Sequence, residues 1–248
     1  MASRAWLILA GIAAAGLVGG LIWGAALWRG QPIGAPLAPT DRPAAPLNPP
    51  PSASGAPLRL AVFGTSLTAN ADWPETLAGR LSDCLGRPVD LLRIARAGAG
   101  SDWAVGQIRR VAAGDPDIVL IEFAINDADL HDGLWLGESI ANHRALIAGL
   151  RAQAPGARLV LMTMNPAQGL RGLLRPRLTR YYATYRDLAM ETDIGLIDLY
   201  PRWLALSPGA RGLRDGLHPD TATARGVIVP VALPVLAALA GGGCSDRG

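Results

Sequence analysis

The chain contains no lysine, so all 23 basic residues among its 248 are arginines. Only 17% of the residues are charged and 5% are aromatic, and the formal net charge is +3. A nucleic-acid surface needs clustered basic side chains interleaved with aromatic platforms. The one loose arginine group, between 171 and 186, is expected to be a solvated helix face or a surface for anionic lipid or polysaccharide. The composition therefore argues against nucleic-acid binding.

Cysteine is also scarce, with only Cys84 and Cys244. Two cysteines without metal-site spacing give no support for a structural metal. Cys84 lies in a predicted amphipathic helix, where a buried thiol is the simplest expectation, and Cys244 lies in a glycine-rich tail. The sequence leaves open whether they form a disulfide, which would require a compartment outside the cytoplasm.

Charge is missing altogether from the 24 residues between Ala5 and Trp28. A helix of this length spans roughly 36 Å, which is enough to cross a bilayer core. An uncleaved anchor in residues 1–29 is favoured over a signal peptide cleaved near residues 24–26, because the apolar run is long for a signal peptide. We expect a single-pass membrane protein whose catalytic domain is periplasmic or extracellular.

Residues 30–57 hold nine prolines. Proline fixes φ and lacks an N–H donor, so this stretch is predicted to be an extended linker that holds the domain off the bilayer. The main domain is predicted to span residues 58–240, and residues 241–248 are expected to form a flexible tail.

Within residues 58–240, short apolar runs alternate with amphipathic segments. Strands are predicted at 58–63, 89–95, 117–124, 158–164 and 195–199. Helices are predicted at 73–85, 102–113, 134–153, 174–191 and 221–240, with prolines expected to kink or break the last. This alternation predicts a mostly parallel sheet covered by helices on both faces. In such sheets the ligand crevice lies beyond the carboxyl ends of the strands.

Polar residues with catalytic chemistry fall at those strand ends. Ser66 follows the first strand and can supply a nucleophile, and Asn126 follows the third and can donate to an oxyanion. Near the C-terminus, Asp215 stands three residues before His218, a spacing that lets a carboxylate orient a histidine base. The other two histidines, His131 and His143, are expected at the surface.

These motifs, in this order, resemble the SGNH/GDSL hydrolase family over residues 58–240. The block Gly64-Thr65-Ser66-Leu67 is similar to the family's Gly-Asp-Ser-Leu nucleophile block, and residues 124–127 to its Gly-x-Asn-Asp block. Residues 215–218 are similar to its terminal Asp-x-x-His block. The resemblance implies a three-layer α/β/α, flavodoxin-like fold and a Ser66–His218–Asp215 triad that needs neither metal nor cofactor.

The second block of the family carries a glycine whose N–H lines the oxyanion hole. Gly100 resembles this glycine, with Gly98 as the alternative, and the implied oxyanion donors are the N–H groups of Ser66 and Gly100 and the amide of Asn126. Three departures are visible. Thr65 replaces the usual Asp, Ala124 replaces the usual Gly, and the Asn usual near the start of the second block is absent.

The sequence thus predicts a membrane-anchored serine esterase that acts on an acyl or acetyl ester of a small molecule or glycan. Its partners are predicted to be that substrate and the lipid bilayer. Three alternatives remain open: an acyl transferase on a cell-envelope glycan, a non-catalytic glycan-binding module, and a metal phosphoesterase that uses the acidic loop 126–132.

Overall fold

The computed structural model describes residues 2–46 and 56–244, with side chains from Ile12 onward. The described residues form one five-stranded sheet in which every strand pairs in parallel. Its strands are β1 (Leu58–Gly64), β2 (Val89–Ala95), β3 (Ile118–Glu122), β4 (Arg158–Thr163) and β5 (Gly195–Asp198). They lie in the order β2-β1-β3-β4-β5, which is the flavodoxin-like order.

Helices connect the strands and cover the sheet. They are α1 (Ala2–Trp28), α2 (Ser66–Ala69), α3 (Trp73–Leu85), α4 (Ser101–Val105), α5 (Ile108–Ala112), α6 (Ala124–Asp127), α7 (Leu136–Gln153), α8 (Gly169–Leu173), α9 (Leu178–Glu191), α10 (Tyr200–Ala205) and α11 (Thr221–Leu239). The helices α3 and α11 pack together on one face, and α4, α5, α7 and α9 on the other. The predicted three-layer α/β/α fold is confirmed.

Three helix predictions differ from the structure, the first being 174–191, whose helix begins only at Leu178. The helix predicted over 102–113 is split into α4 and α5, because the chain turns at Gly106 and Gln107 between them. The helix α11 continues through Pro230 and Pro234, so of the expected kink or break, the break does not occur. Its start is fixed by the Asp220 carboxylate, which accepts from the Thr223 N–H at 2.9 Å, and its packing on α3 holds the rest.

Two apolar helices in the described part of the chain are relevant to membranes. By length and composition, α11 could cross a bilayer, with a mean hydropathy of 1.8. It nevertheless packs against α3, and eight of its residues are buried, as in the core helix of a globular domain. The apolar segment Ile12–Trp28 of α1 instead exposes Leu17, Leu21 and Trp23.

The proline-rich segment 31–46 lies along β5 instead of standing free. Arg42 and Leu196 exchange two backbone hydrogen bonds, of 3.0 and 2.8 Å. The Thr40 hydroxyl donates to the Asp198 carboxylate at 2.8 Å. An edge strand offers unpaired backbone groups, and Arg42 supplies the N–H that the neighbouring prolines lack. This packing differs from the expected free linker, whose residues 47–55 lie outside the described part.

The C-terminal residues 241–244 are also attached to the domain. Cys84 on α3 forms a disulfide with Cys244, with their Cα atoms 5.5 Å apart. The Gly242 N–H donates to the Ala237 carbonyl at 2.9 Å. The expectation of a free thiol at Cys84 is therefore wrong, and so is that of a flexible tail over 241–244; residues 245–248 lie outside the description.

We expect the double variant Cys84→Ser/Cys244→Ser to lose about 2–4 kcal/mol of unfolding free energy, because the disulfide restricts the unfolded chain across a long loop. Urea unfolding in detergent would measure this loss. Dithiothreitol should reproduce it in the wild type and have no effect on the double variant. Equal stability of oxidised and reduced wild type would contradict the prediction.

Candidate active site

Ser66 begins α2, with only Thr65 between it and the interior strand β1. Thr65 caps this short helix, and its hydroxyl accepts from the Leu67 N–H at 3.2 Å. The Trp73 indole N–H donates to the Leu67 carbonyl at 2.8 Å and fixes the turn from the other side. The Ser66 hydroxyl is thereby held at the carboxyl edge of the sheet, where the sequence placed it.

The loop before α11 carries a histidine and a carboxylate to the same edge. The Ser66 Oγ lies 2.8 Å from the His218 Nε2. The His218 Nδ1 lies 2.6 Å from the Asp215 Oδ2. The chain therefore brings together all three predicted triad residues, although 149 positions separate Ser66 from Asp215 (215 minus 66).

Asp215 is held in its charged form. Partial burial tends to raise the pKa of this carboxyl, but hydrogen bonds from the His218 ring and from the His218 and Leu217 N–H groups lower it to about 2. The two backbone bonds measure 2.7 and 3.0 Å. A fixed carboxylate of this kind orients the ring, keeps the proton on Nδ1 and leaves Nε2 to accept one from Ser66.

Asn126 follows β3 within the short helix α6. Its side-chain amide donates to the Ala99 carbonyl at 2.9 Å, which orients the group and leaves its second N–H for another acceptor. The N–H groups of Ser66 and Gly100 donate no hydrogen bond within the described ranges. Of these donors, those of Ser66 and Asn126 belong to residues that line one cleft.

A cleft of about 220 Å³ opens above these groups. The residues that line it include Ser66, Gly98, Asn126 and His218. Gly98 has φ of +74°, a conformation that favours glycine. Gly100 is the N-cap of α4 and does not line this cleft itself, so the choice between the two glycines stays a prediction.

A buried carboxyl that the sequence analysis did not identify lies beneath the nucleophile turn. Glu122, the last residue of β3, accepts from the Thr65 N–H at 2.6 Å and from the Thr68 hydroxyl at 2.8 Å. A Cβ at Gly64 would overlap its carboxyl group. Burial raises the pKa of Glu122 to about 7, although these hydrogen bonds oppose the rise. A single charged residue in an otherwise apolar strand was the signal that could have revealed it.

A second buried network supports the turn that carries Asn126. The Tyr185 hydroxyl accepts from the N–H groups of Phe123 and Ala124 at 2.8 and 3.1 Å. It lies 2.9 Å from the His143 Nε2, and His143 is fully buried. The expectation of a surface His143 is therefore wrong: on α7 it faces α9 and completes the hydrogen bonds of Tyr185.

The loop that carries His218 is fixed by the segment after β4. The Asn165 amide donates to the Leu217 carbonyl at 2.7 Å, and the Gln168 N–H to the Gly216 carbonyl at 2.8 Å. Gly216 has φ of +82°, and a Cβ there would overlap the Gln168 carbonyl. Substitution of this glycine would thus displace both His218 and Asp215.

The acidic loop 126–132 has partners within the protein. Asp129 pairs with the buried Arg175 at 2.6 Å, and Asp132 with His131 at 2.7 Å. Asp127 accepts from the Ser101 N–H and the Ser139 hydroxyl, at 2.8 and 2.6 Å. Across the described residues no three histidine, cysteine or acidic side chains are grouped as metal ligands.

We expect Glu122→Gln to change how stability depends on pH. Because folding raises the pKa of Glu122 from its ordinary 4.5 to about 7, the stability linked to its protonated form is complete below pH 4.5 and lost as the pH rises through 7. Thermal unfolding across this range should show the wild type losing stability relative to the variant. A constant difference in melting temperature would contradict this prediction.

Similar proteins share this fold. The chain superposes on the crystal structure of TesA with a TM-score of 0.59 at 23% identity, covering 73% of this chain and 99% of TesA. For the lipase/acylhydrolase from Enterococcus faecalis the TM-score is 0.62 at 22% identity, with 74% and 96% covered. The acetyl xylan esterase AlAXEase gives 0.59 at 20% identity, with 68% and 96% covered.

These identities are low, so the three structures show the fold alone. A sequence search of curated proteins gives no significant match. The family model of the GDSL-like lipase/acylhydrolases matches residues 62–225, which is well over half of the chain and reaches from the Ser66 turn to beyond His218. On this match the chain belongs to the GDSL-like lipase/acylhydrolase family.

Proposed function

We propose that this protein is a membrane-anchored serine esterase in which Ser66 is the nucleophile, His218 the general base and Asp215 its orienting acid. The observation that carries the proposal is the unbroken chain of contacts from the Ser66 Oγ through the His218 ring to the Asp215 carboxylate, at 2.8 and 2.6 Å. Family membership supports the same reaction class. The substrate is an acyl or acetyl ester.

In the first half of the reaction the Ser66 Oγ attacks the ester carbonyl carbon while His218 Nε2 takes the hydroxyl proton. The carbonyl oxygen becomes an oxyanion, which the N–H groups of Ser66 and Gly100 and the Asn126 amide stabilise. The bond to the alcohol then breaks, and the imidazolium returns the proton to the departing alcohol oxygen. The acyl group remains on Ser66.

In the second half a water molecule attacks the acyl-enzyme. His218 takes a proton from this water, and a second oxyanion forms between the same three donors. Collapse releases the carboxylic acid and returns the proton to Ser66. Asp215 stays ionised throughout, because its low pKa keeps it a carboxylate while it stabilises the imidazolium.

The anchor in this proposal is α1, in a single pass with the catalytic domain on the periplasmic or extracellular side. Its exposed apolar surface over Ile12–Trp28 supports a position in lipid. The Cys84–Cys244 disulfide supports a compartment outside the cytoplasm, because cytoplasmic thiols are kept reduced.

We expect Ser66→Ala to abolish both esterase turnover and labelling by a fluorophosphonate probe, because the probe forms its phosphorus–oxygen bond with the activated hydroxyl. In-gel fluorescence and p-nitrophenyl acetate hydrolysis would measure the two losses. Ser82→Ala, which removes a hydroxyl on α3, serves as the control and should keep both. Labelling that survives in Ser66→Ala would exclude Ser66 as the nucleophile, and an unreactive wild type would favour a non-catalytic glycan-binding module.

We expect Asn126→Ala to lower kcat by about 10²–10³-fold, which is the usual effect of losing one oxyanion donor. Asn126→Asp keeps the shape of the side chain but replaces the N–H donor with an acceptor, so it should be at least as inactive. Steady-state kinetics and thermal unfolding would separate catalysis from folding. Full activity in either folded variant would remove Asn126 from the oxyanion hole.

A further inference from the structure

The end of α1 is fixed to the catalytic domain. Leu27 is buried, and its carbonyl lies so close to Gly172 on α8 that a Cβ there would overlap it. The buried Arg211 donates to the carbonyls of Arg29 and Gly30, at 3.1 and 2.9 Å. Arg211 forms no ion pair within the described part of the chain, so its charge is satisfied by backbone carbonyls at the negative end of the helix dipole.

This attachment determines where the bilayer lies relative to the domain. The proline-rich segment follows α1 and packs along β5, so it is not a spacer between the membrane and the catalytic domain. Trp28 at the end of α1 is 56% exposed, and tryptophan at the end of an apolar helix favours the membrane interface. Residues that surround Trp28 therefore lie at the level of the lipid headgroups.

Apolar side chains are exposed at that level. Leu170 and Leu173 on α8, the helix that packs against α1, are 65% and 37% exposed. Three exposed arginines lie nearby. Arg171 follows Leu170 in the sequence and lines the catalytic cleft, and Arg29 and Arg214 line the cavity that also contains Leu170. Among the described residues, none of the three forms an ion pair. Exposed leucines flanked by arginines suit a surface of apolar chains and anionic headgroups.

A groove of about 500 Å³ begins at this surface and reaches Asp215. Trp28 and Leu170 line one part of it, and Asp215 and Gly216 line another. The cleft that holds Ser66 and His218 is a separate one, lined by Arg171, the neighbour of Leu170 on α8. The catalytic cleft thus opens beside the point where α1 enters the domain, and not on the far side of the protein.

From this proximity we infer that the active-site face rests on the bilayer and that the enzyme takes its ester from an amphiphile held in the membrane. The occupant of the docking surface, defined by Trp28, Leu170, Leu173 and the three arginines, is the lipid headgroup layer. The inference rests on the proposed esterase activity and on α1 as the anchor. It adds the substrate class: an ester whose apolar part is embedded in lipid.

The docking geometry is tested with a fluorophore at Leu170→Cys in the full-length protein, reconstituted into vesicles of phosphatidylcholine and phosphatidylglycerol. The control is Met190→Cys, since Met190 is 63% exposed at the end of α9, by the opposite edge of the sheet. Brominated lipids should quench the probe at 170 and leave the probe at 190 bright. Equal quenching, or none at 170 in protein that has inserted, overturns the inference but not the esterase proposal.

The substrate class is tested by kinetics of Leu170→Asp and Met190→Asp. Turnover is measured on 4-methylumbelliferyl oleate in the same vesicles and on soluble 4-methylumbelliferyl acetate. The ratio of oleate to acetate turnover should fall about tenfold or more in Leu170→Asp, as expected for one lost interfacial leucine. Met190→Asp should keep the wild-type ratio.

An unchanged ratio in Leu170→Asp overturns the inference, and failure to insert into vesicles overturns it together with the anchor. An inserted wild type that hydrolyses neither ester disproves the proposed esterase function, and the substrate class with it.

Discussion

The pairing of β1 with β2 on one side and β3 on the other is the constraint on which the site depends. Parallel pairing brings the carboxyl ends of these three strands to one edge, with Gly64 beside both Ala95 and Glu122. Ser66, the Ala97–Gly100 turn and Asn126 follow directly after those ends. Because β1 and β3 are buried on both faces, their register cannot slip without exposing apolar side chains.

Polar groups buried beneath this edge give the turns their fixed shape. The Glu122 carboxyl binds the turn before Ser66, the Tyr185 hydroxyl binds the turn before Asn126, and Asp127 binds the Ser101 N–H after Gly100. Each of these groups is buried and hydrogen-bonded, so removing one partner would leave a desolvated polar atom. In the proposed mechanism such an arrangement would hold the oxyanion donors in place before the charge develops.

The N-terminal region has a structural role that its composition does not suggest. Its apolar helix ends in contacts with Gly172 and Arg211, and its proline-rich continuation covers the exposed edge of β5. An edge strand left open is a site for aggregation, and the segment around Arg42 pairs with it in antiparallel fashion. The same contacts relate the direction of α1 to the position of the catalytic cleft.

The sequence alone predicted all five strands to within two residues at each end, because a run of apolar residues in a sheet buried on both faces is a local signal. It also predicted Ser66, Asn126, Asp215 and His218 as candidates, since each lies in a short motif at the end of a predicted element. Local spacing could not predict the partners that hold these residues. Glu122 contacts Thr65 from 57 positions away, and His143 contacts Tyr185 from 42.

For the same reason the prediction of a free proline-rich linker was wrong, and the sequence left the pairing of the two cysteines open. Proline content determines that residues 31–46 are extended, but only the open edge of β5 decides that they are bound there. The periodicity of α3 locates Cys84 on a helix, but the return of α11 alongside α3 is what brings Cys244 within reach. Backbone preference depends on neighbouring residues and can be predicted from the sequence. Contacts between distant segments form only when the chain packs.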